Sequence, residues 1–209
     1  MIDINTEIMF ATPLGTTVIP KEVCEMFKPL KGAIQTQSPD DPKHYDAIKD
    51  YPKLKQDITD IFTVWVNNTY NYPDQKWKML TNWITENHKG TPMIRHRHYN
   101  CLFSAVLYFD EVVDGHGNLH LENPQDQNDM FFPIKLKNNP TIFNNKHYIA
   151  PLYEGLMLFF PSNIVHSHNS YKRGKDEPIR RSFACNFAPI GTYGVGDSYM
   201  DTNWLQHNN

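Results

Sequence analysis

The chain has 209 residues, 40% of them hydrophobic, enough to bury one sizeable core, and no low-complexity stretch divides it. A net charge of −3 and a pI near 6.3, with lysine and arginine scattered among acidic residues, leave no basic stripe for duplex nucleic acid and favour a small-molecule or protein substrate. There is no basic and apolar leader at Met1–Asn5, no run of eighteen apolar residues, and no CxxC pair among Cys24, Cys101 and Cys185, which argues against export, membrane insertion and structural zinc and for reduced thiols in a cytoplasm.

After Pro20, Val23, Met26, Phe27 and Leu30 recur at helical spacing, and Gly32 follows, predicting a short amphipathic helix. After Pro52, Leu54, Ile58, Ile61, Phe62 and Trp65 keep one apolar face for three turns up to Asn67-Asn68, predicting a second, longer helix. Both stripes read as surfaces that brace a sheet. From Trp77 onward the period changes. Residues 104–109 and 155–160 are short apolar runs bounded by turn residues, as buried strands are. The glycine-rich connector 114–118 predicts a hairpin joining the strand that ends near Asp110 to residues 119–122. A turn at Pro161-Ser162-Asn163 leads into a strand at Ile164-Val165-His166, and residues 180–187 form another. Helices first and antiparallel strands after predict an α+β chain with a sandwich or barrel core. It reads as one domain over 1–209, with helical support in 1–75, the β core in 76–190 and a C-terminal tail in 191–209.

Of ten histidines, His44, His88, His147 and His207 read as surface or hydrogen-bonded residues, and His116 and His120 flank the predicted turn. His96 and His98 differ: two apart on a strand, they share a face and can hold one ion. The third imidazole is His166 or His168, which also share a face, the remaining one then supporting the ligand or facing a substrate. Three imidazoles on one side of a metal leave positions for oxygen and substrate. Further on, Arg180 and Ser182 share a strand face, and a guanidinium fork beside a hydroxyl suits a carboxylate of a bound dicarboxylic acid. The plainer alternative is an exposed Arg180-Arg181 pair at a strand edge.

Five segments, taken in order, carry a family resemblance. They are Met9-Phe10-Ala11-Thr12-Pro13-Leu14; His96-Arg97-His98 and the strand running on to Tyr108; Leu121-Glu122-Asn123-Pro124; Phe160-Pro161-Ser162 with His166 four residues beyond the serine; and Arg180-Arg181-Ser182-Phe183-Ala184-Cys185-Asn186. The chain resembles the phage and bacterial family of 2-oxoglutarate- and iron(II)-dependent oxygenases that open on a Phe-x-Thr-Pro segment. The resemblance implies a double-stranded β-helix of the jelly-roll or cupin-like kind, with Fe(II) held by His96, His98 and His166. It selects His166 over His168. It also implies 2-oxoglutarate chelating the iron, its far carboxylate met by Arg180 with Ser182 and Tyr108, and O2 as co-substrate. The implied reaction hydroxylates a C–H bond of a peptidyl residue or small molecule, with succinate and CO2 as co-products.

His98 departs from the carboxylate that most members of the superfamily carry, leaving a three-histidine site, a carboxylate lent by Glu122, or room for another anion such as halide. Ala105, Leu107 and Asn123 depart from the family's Gly, first Tyr and Asp. Tyr99, Asn100, His168 and residues 191–199 are candidates for the substrate rim, and Trp204-Leu205 is free to pack on this chain or on a neighbour. Two competing readings are a metal-binding cupin, since Gly155, Pro161 and His166 with Asn169 approach its second motif, and a non-enzymatic β-sandwich with histidines at a sheet edge. Neither requires Arg180.

Overall fold

The computed structural model describes Ile8 and residues 11–31, 33–34, 45–87, 93–99, 101–113, 117–124, Asn139, 141–142, 145–169 and 179–206. The expectations at Phe10, Gly32, His44, His88, Asn100, His116 and His207 lie outside the described residues. In chain order the elements are β1 (Gly15–Val18), α1 (Lys21–Glu25), β2 (Ala33–Ile34), α2 (Pro52–Tyr70), β3 (Lys76–Asn87), β4 (Met93–His96), β5 (Phe103–Leu107), β6 (Leu119–Glu122), β7 (His147–Ile149), β8 (Leu156–Pro161), β9 (His166–His168), β10 (Arg180–Ile190), β11 (Thr192–Tyr193) and β12 (Met200–Asp201).

The first helix is shorter than its apolar spacing predicts. It stops at Glu25, and three-residue turns, with Met26, Phe27, Lys28 and Leu30 each donating to the carbonyl three residues back, carry the chain on to Leu30. Pro29 is the reason: it has no N–H, and its ring restricts Lys28 before it. α2 begins on Pro52 and runs past Asn67-Asn68 to Tyr70, where Asn71 takes a left-handed conformation (φ 54°) and closes it. Asn67 does not end the helix. Its amide donates to the Gln75 carbonyl and accepts from the Trp77 indole, which fastens the start of β3 to α2.

Six strands form one sheet in the order β1-β8-β5-β10-β3-β2, and four form a second in the order β4-β9-β6-β7. All pairings are antiparallel except β2 with β3. Residues 1–75 thus contribute two strands to the larger sheet as well as two helices. The predicted hairpin across 114–118 is not formed: β5 and β6 belong to different sheets. β5 has both edges hydrogen-bonded, to β8 and β10, so β6 has no free edge there and pairs with β7 and β9 instead.

The core has two layers, and β8 is buried in both. Met157 and Phe159 point to the helices, while Leu156, Leu158 and Phe160 point to the four-stranded sheet, which is why this strand reads as an unbroken apolar run. Leu54, Ile58, Phe62 and Val66 of α2 bury one stripe against the larger sheet, each stabilising the fold by about 1.5–3 kcal/mol. One irregularity orients the site. Phe187 pairs with Met79 but Asn186 with Thr81, so Leu80 is an extra residue in β3. Before this bulge Trp77 and Met79 face the helices; after it Ile84 does, and Thr81, Trp83, Thr85 and Asn87 turn to the other face.

Beyond β10, β11 and β12 pair with each other, and Thr202 and Lys78 fasten this segment by donating to the carbonyls of Pro189 and Leu205. Leu205 is buried against this chain while Trp204 stays exposed. The three cysteines are unpaired. Among the described residues no helix is long and apolar enough to cross a membrane.

Candidate functional site

His96 ends β4 and His166 opens β9, and the two are register partners across that pair. His98 lies just beyond β4, so the two histidines of the His-x-His segment do not share a strand as their spacing predicts. The backbone N–H of His98 donates instead to the Ser162 carbonyl (3.0 Å), in the turn between β8 and β9, and this swings the ring back to the others. The three imidazoles each bring a ring nitrogen into a cluster whose members lie within 4.8 Å of one another. Their ring centroids are 4.3 Å apart for His96 and His166 and 5.1 Å apart for His98 and either neighbour.

The ring tautomers favour metal binding. Nδ1 of His96 bonds to the Ile94 carbonyl (2.8 Å) and Nδ1 of His166 to the Ile164 carbonyl (3.0 Å), so each ring carries its proton there and keeps the Nε2 lone pair free. Burial, with the neighbouring His96 ring, lowers His98 to about 4 and His166 to about 3. Neutral imidazoles of fixed orientation suit a divalent transition metal. Glu122 is not part of this cluster. It points outward with His120, and both of its carboxylate oxygens are taken by Arg95.

An open cleft of about 530 Å³ runs from this cluster between the sheets to Arg180. Alternation along β10 separates the two arginines. Arg181 faces the helices, pairs with Asp110 (2.7 and 3.0 Å) and donates to the Lys28 carbonyl. Arg180 faces the cleft, is only 3% exposed, and is not part of an exposed charge pair. Its guanidinium donates to the Gly117 carbonyl and lies 5.5 Å from the centre of the buried Tyr108 ring. Among the described residues no carboxylate lies within ion-pair distance of it. Burial lowers the Arg180 pKa and raises that of Tyr108, while each opposes the shift of the other. Gly117 is needed as glycine, since a Cβ there would overlap the Asn169 carbonyl oxygen. Ser182 lines the cleft one rung from Arg180, opposite Thr85.

His168 lines the same cleft but stays out of the cluster of three histidines. Its Nδ1 bonds to the Asn169 carbonyl (3.0 Å), its Nε2 is buried without a partner among the described residues, and burial followed by the nearby Arg180 charge lowers its pKa to about 4. Of the proposed rim residues, Tyr99 is exposed beneath the Arg97 guanidinium, and residues 191–199 are not part of the cleft lining. β3 also contributes to the cleft, without a motif to mark it. Trp83, Thr85 and Asn87 line the cleft, and Asn87 is 1% exposed with neither amide atom hydrogen-bonded among the described residues. Leaving such a group unsatisfied costs about 1–3 kcal/mol. The signal was a polar alternation that begins only after the bulge at Leu80.

These histidines set a pH dependence. His98, His166 and His168 have folded-state pKa values of about 4, 3 and 4 against an unfolded value near 6.5. Below pH 6.5 the unfolded chain therefore binds more protons than the folded one. Their contribution to stability is complete above about pH 6.5 and is lost as pH falls towards 4. The melting temperature of metal-free protein is expected to decline between pH 7 and pH 4.5, and His98→Asn to flatten that decline.

Comparison with known proteins agrees with this geometry. A family model described as "Putative 2OG-Fe(II) oxygenase" matches residues 81–186, just over half of the chain. Among solved structures, the chain is similar to HygX from Streptomyces hygroscopicus with nickel and 2-oxoglutarate bound (12% identity, TM-score 0.56, covering 85% of this chain and 83% of that one). It is similar to a prolyl-4-hydroxylase from Pseudomonas putida (14%, 0.51, 85% and 85%). It is also similar to the non-heme α-ketoglutarate-dependent epimerase SnoN from nogalamycin biosynthesis (12%, 0.56, 88% and 79%). No curated protein matches by sequence. The structural likenesses establish the fold, a double-stranded β-helix, and the match over β3 to β10 establishes the rest: this chain belongs to the 2OG-Fe(II) oxygenase family and is an oxidoreductase with Fe(II) and 2-oxoglutarate as its cofactors.

Proposed function

We propose that this oxygenase hydroxylates an unactivated C–H bond of a small molecule or a peptidyl residue, with His96, His98 and His166 holding the iron and Arg180 holding 2-oxoglutarate. The observation that carries the reading is the pairing, in one cleft, of three clustered imidazoles with a buried arginine that has no carboxylate partner among the described residues. A buried cation calls for an anion, and a dicarboxylic keto acid supplies one carboxylate to Arg180 while its keto-acid end is left for the metal. Ser182 and Tyr108 stand beside Arg180 to receive that carboxylate. Bound iron and 2-oxoglutarate supply the oxidising power, with O2 consumed and succinate and CO2 released. Leu119, Phe160 and Met93 make the cleft walls apolar and keep water away from the reacting end. The structures similar to this chain include HygX with hygromycin B bound and a prolyl hydroxylase, which supports both substrate classes.

The test is anaerobic titration of metal-free protein with Fe(II) and then 2-oxoglutarate. A weak visible charge-transfer band that needs protein, iron and keto acid together is expected. His166→Ala is expected to lower iron affinity at least tenfold and remove the band at stoichiometric iron. Iron bound without a band would overturn the assignment of 2-oxoglutarate to this cleft.

A further inference from the structure

Asn87 is the last residue of β3, and in the antiparallel pairing it stands directly opposite Arg180, the first residue of β10. Directly opposed residues project from the same face of a sheet. Both line the cleft, and the next rung inward opposes Thr85 to Ser182 on that face. Asn87 is almost wholly buried, yet among the described residues neither Nδ2 nor Oδ1 has a hydrogen-bond partner. A buried side-chain amide without partners beside a buried guanidinium without a carboxylate, both among the described residues, is a pair of unmet demands in one place. One ligand group answers both.

Resting on the reading of the cleft as the 2-oxoglutarate site, we infer that Asn87 is a further anchor for the far carboxylate, donating from Nδ2 to one carboxylate oxygen while Arg180 donates to the other. The amide oxygen completes the arrangement. A guanidinium has five N–H donors, and Arg180 gives one nitrogen to the Gly117 carbonyl, so donors remain for both the carboxylate and Oδ1 of Asn87. The order of residues on the two strands then grades the cleft. Arg180 and Asn87 form its anion-binding end, and Ala184 and Trp83, two rungs on, lead towards His98, whose ring lies 5.5 Å from that of Trp83. Asn87 would act on the part of the keto acid that the metal does not touch.

The experiment compares two ligands on the iron-loaded protein without oxygen, following the charge-transfer band. One is 2-oxoglutarate. The other is 2-oxobutyrate, which has the same chelating end and no far carboxylate. Asn87→Leu is expected to weaken 2-oxoglutarate about 10- to 100-fold, the size of one lost hydrogen bond to a charged group, and to leave 2-oxobutyrate unchanged. Asn87→Asp, which sets a second anion against Arg180, is expected to weaken 2-oxoglutarate further. The melting temperature of Asn87→Leu should not fall, because the leucine removes an unsatisfied buried amide. If that variant does not fold, Asn87→Gln, which keeps the amide but moves it by one methylene, serves in its place with the same ligand contrast. Equal weakening of both keto acids, or no weakening of 2-oxoglutarate while Arg180→Met weakens it, overturns the role of Asn87. The absence of any band in the unaltered protein would instead overturn the reading of the cleft.

Discussion

Replacing Arg180 with methionine is expected to weaken 2-oxoglutarate by a factor of about 10² to 10³ while leaving the melting temperature of the ligand-free protein unchanged or higher. The two directions follow from one fact. Arg180 is buried, and among the described residues it has only the Gly117 carbonyl and the Tyr108 ring as partners. Truncating one member of a buried charge pair costs about 2–5 kcal/mol of binding, because the ligand carboxylate then enters an apolar site with no counter-charge. In the free protein the balance reverses, since a desolvated cation without an anion is a burden that an apolar residue of similar volume relieves. Affinity from the charge-transfer titration and stability from calorimetry check the two halves separately. A cupin-like use of the fold would need no such arginine, and unchanged 2-oxoglutarate affinity in Arg180→Met would favour it.

Phe62→Ala is expected to show the opposite pattern: about 3–5 kcal/mol lost from the fold, a melting temperature lower by roughly 10 °C, and little change in the intrinsic affinity for 2-oxoglutarate below the transition. Phe62 is fully buried and stacks on Phe187 with centroids 3.9 Å apart and planes 7° from parallel. It also packs against Trp65, Trp77, Phe103 and Phe159, so it is the point where α2 meets four strands of the larger sheet. Alanine leaves a cavity that rigid rings on several strands cannot close together. Chemical denaturation of the metal-free protein measures the loss. If the cost were below about 1 kcal/mol, the aromatic cluster would not be what fastens the helix to the sheet.

Much of this was legible in the sequence for a simple reason: a side chain's face follows from parity within a regular element. Leu54, Ile58 and Phe62 announce a helix stripe, and Arg180, Ser182 and Ala184 announce one face of a strand. What was not legible depended on pairing or on irregularity. His98 reaches the cluster through a hydrogen bond to Ser162, a residue more than sixty positions away, and no local pattern encodes that. The connector after β5 carries the glycines of a hairpin, but whether a hairpin forms depends on β5 having a free edge, which β8 and β10 remove. The apolar spacing of α1 continues past Pro29 in turns that are not helix, so periodicity alone extends the helix too far. Asn87 was missed because the alternation of β3 changes phase in its middle.

That phase change at Leu80 bears on how this chain tolerates length variation. Shortening β3 by one residue there would restore ideal pairing with β10 over its whole length, and local strand geometry would improve. Yet it would force a choice. Either Trp77 and Met79 keep their seats under α2 and Thr85 and Asn87 rotate out of the cleft, or the cleft survives and the two apolar residues leave the helix layer. A single-codon deletion at this position is therefore expected to be far more damaging than any point substitution of Leu80, whose side chain is only half-buried.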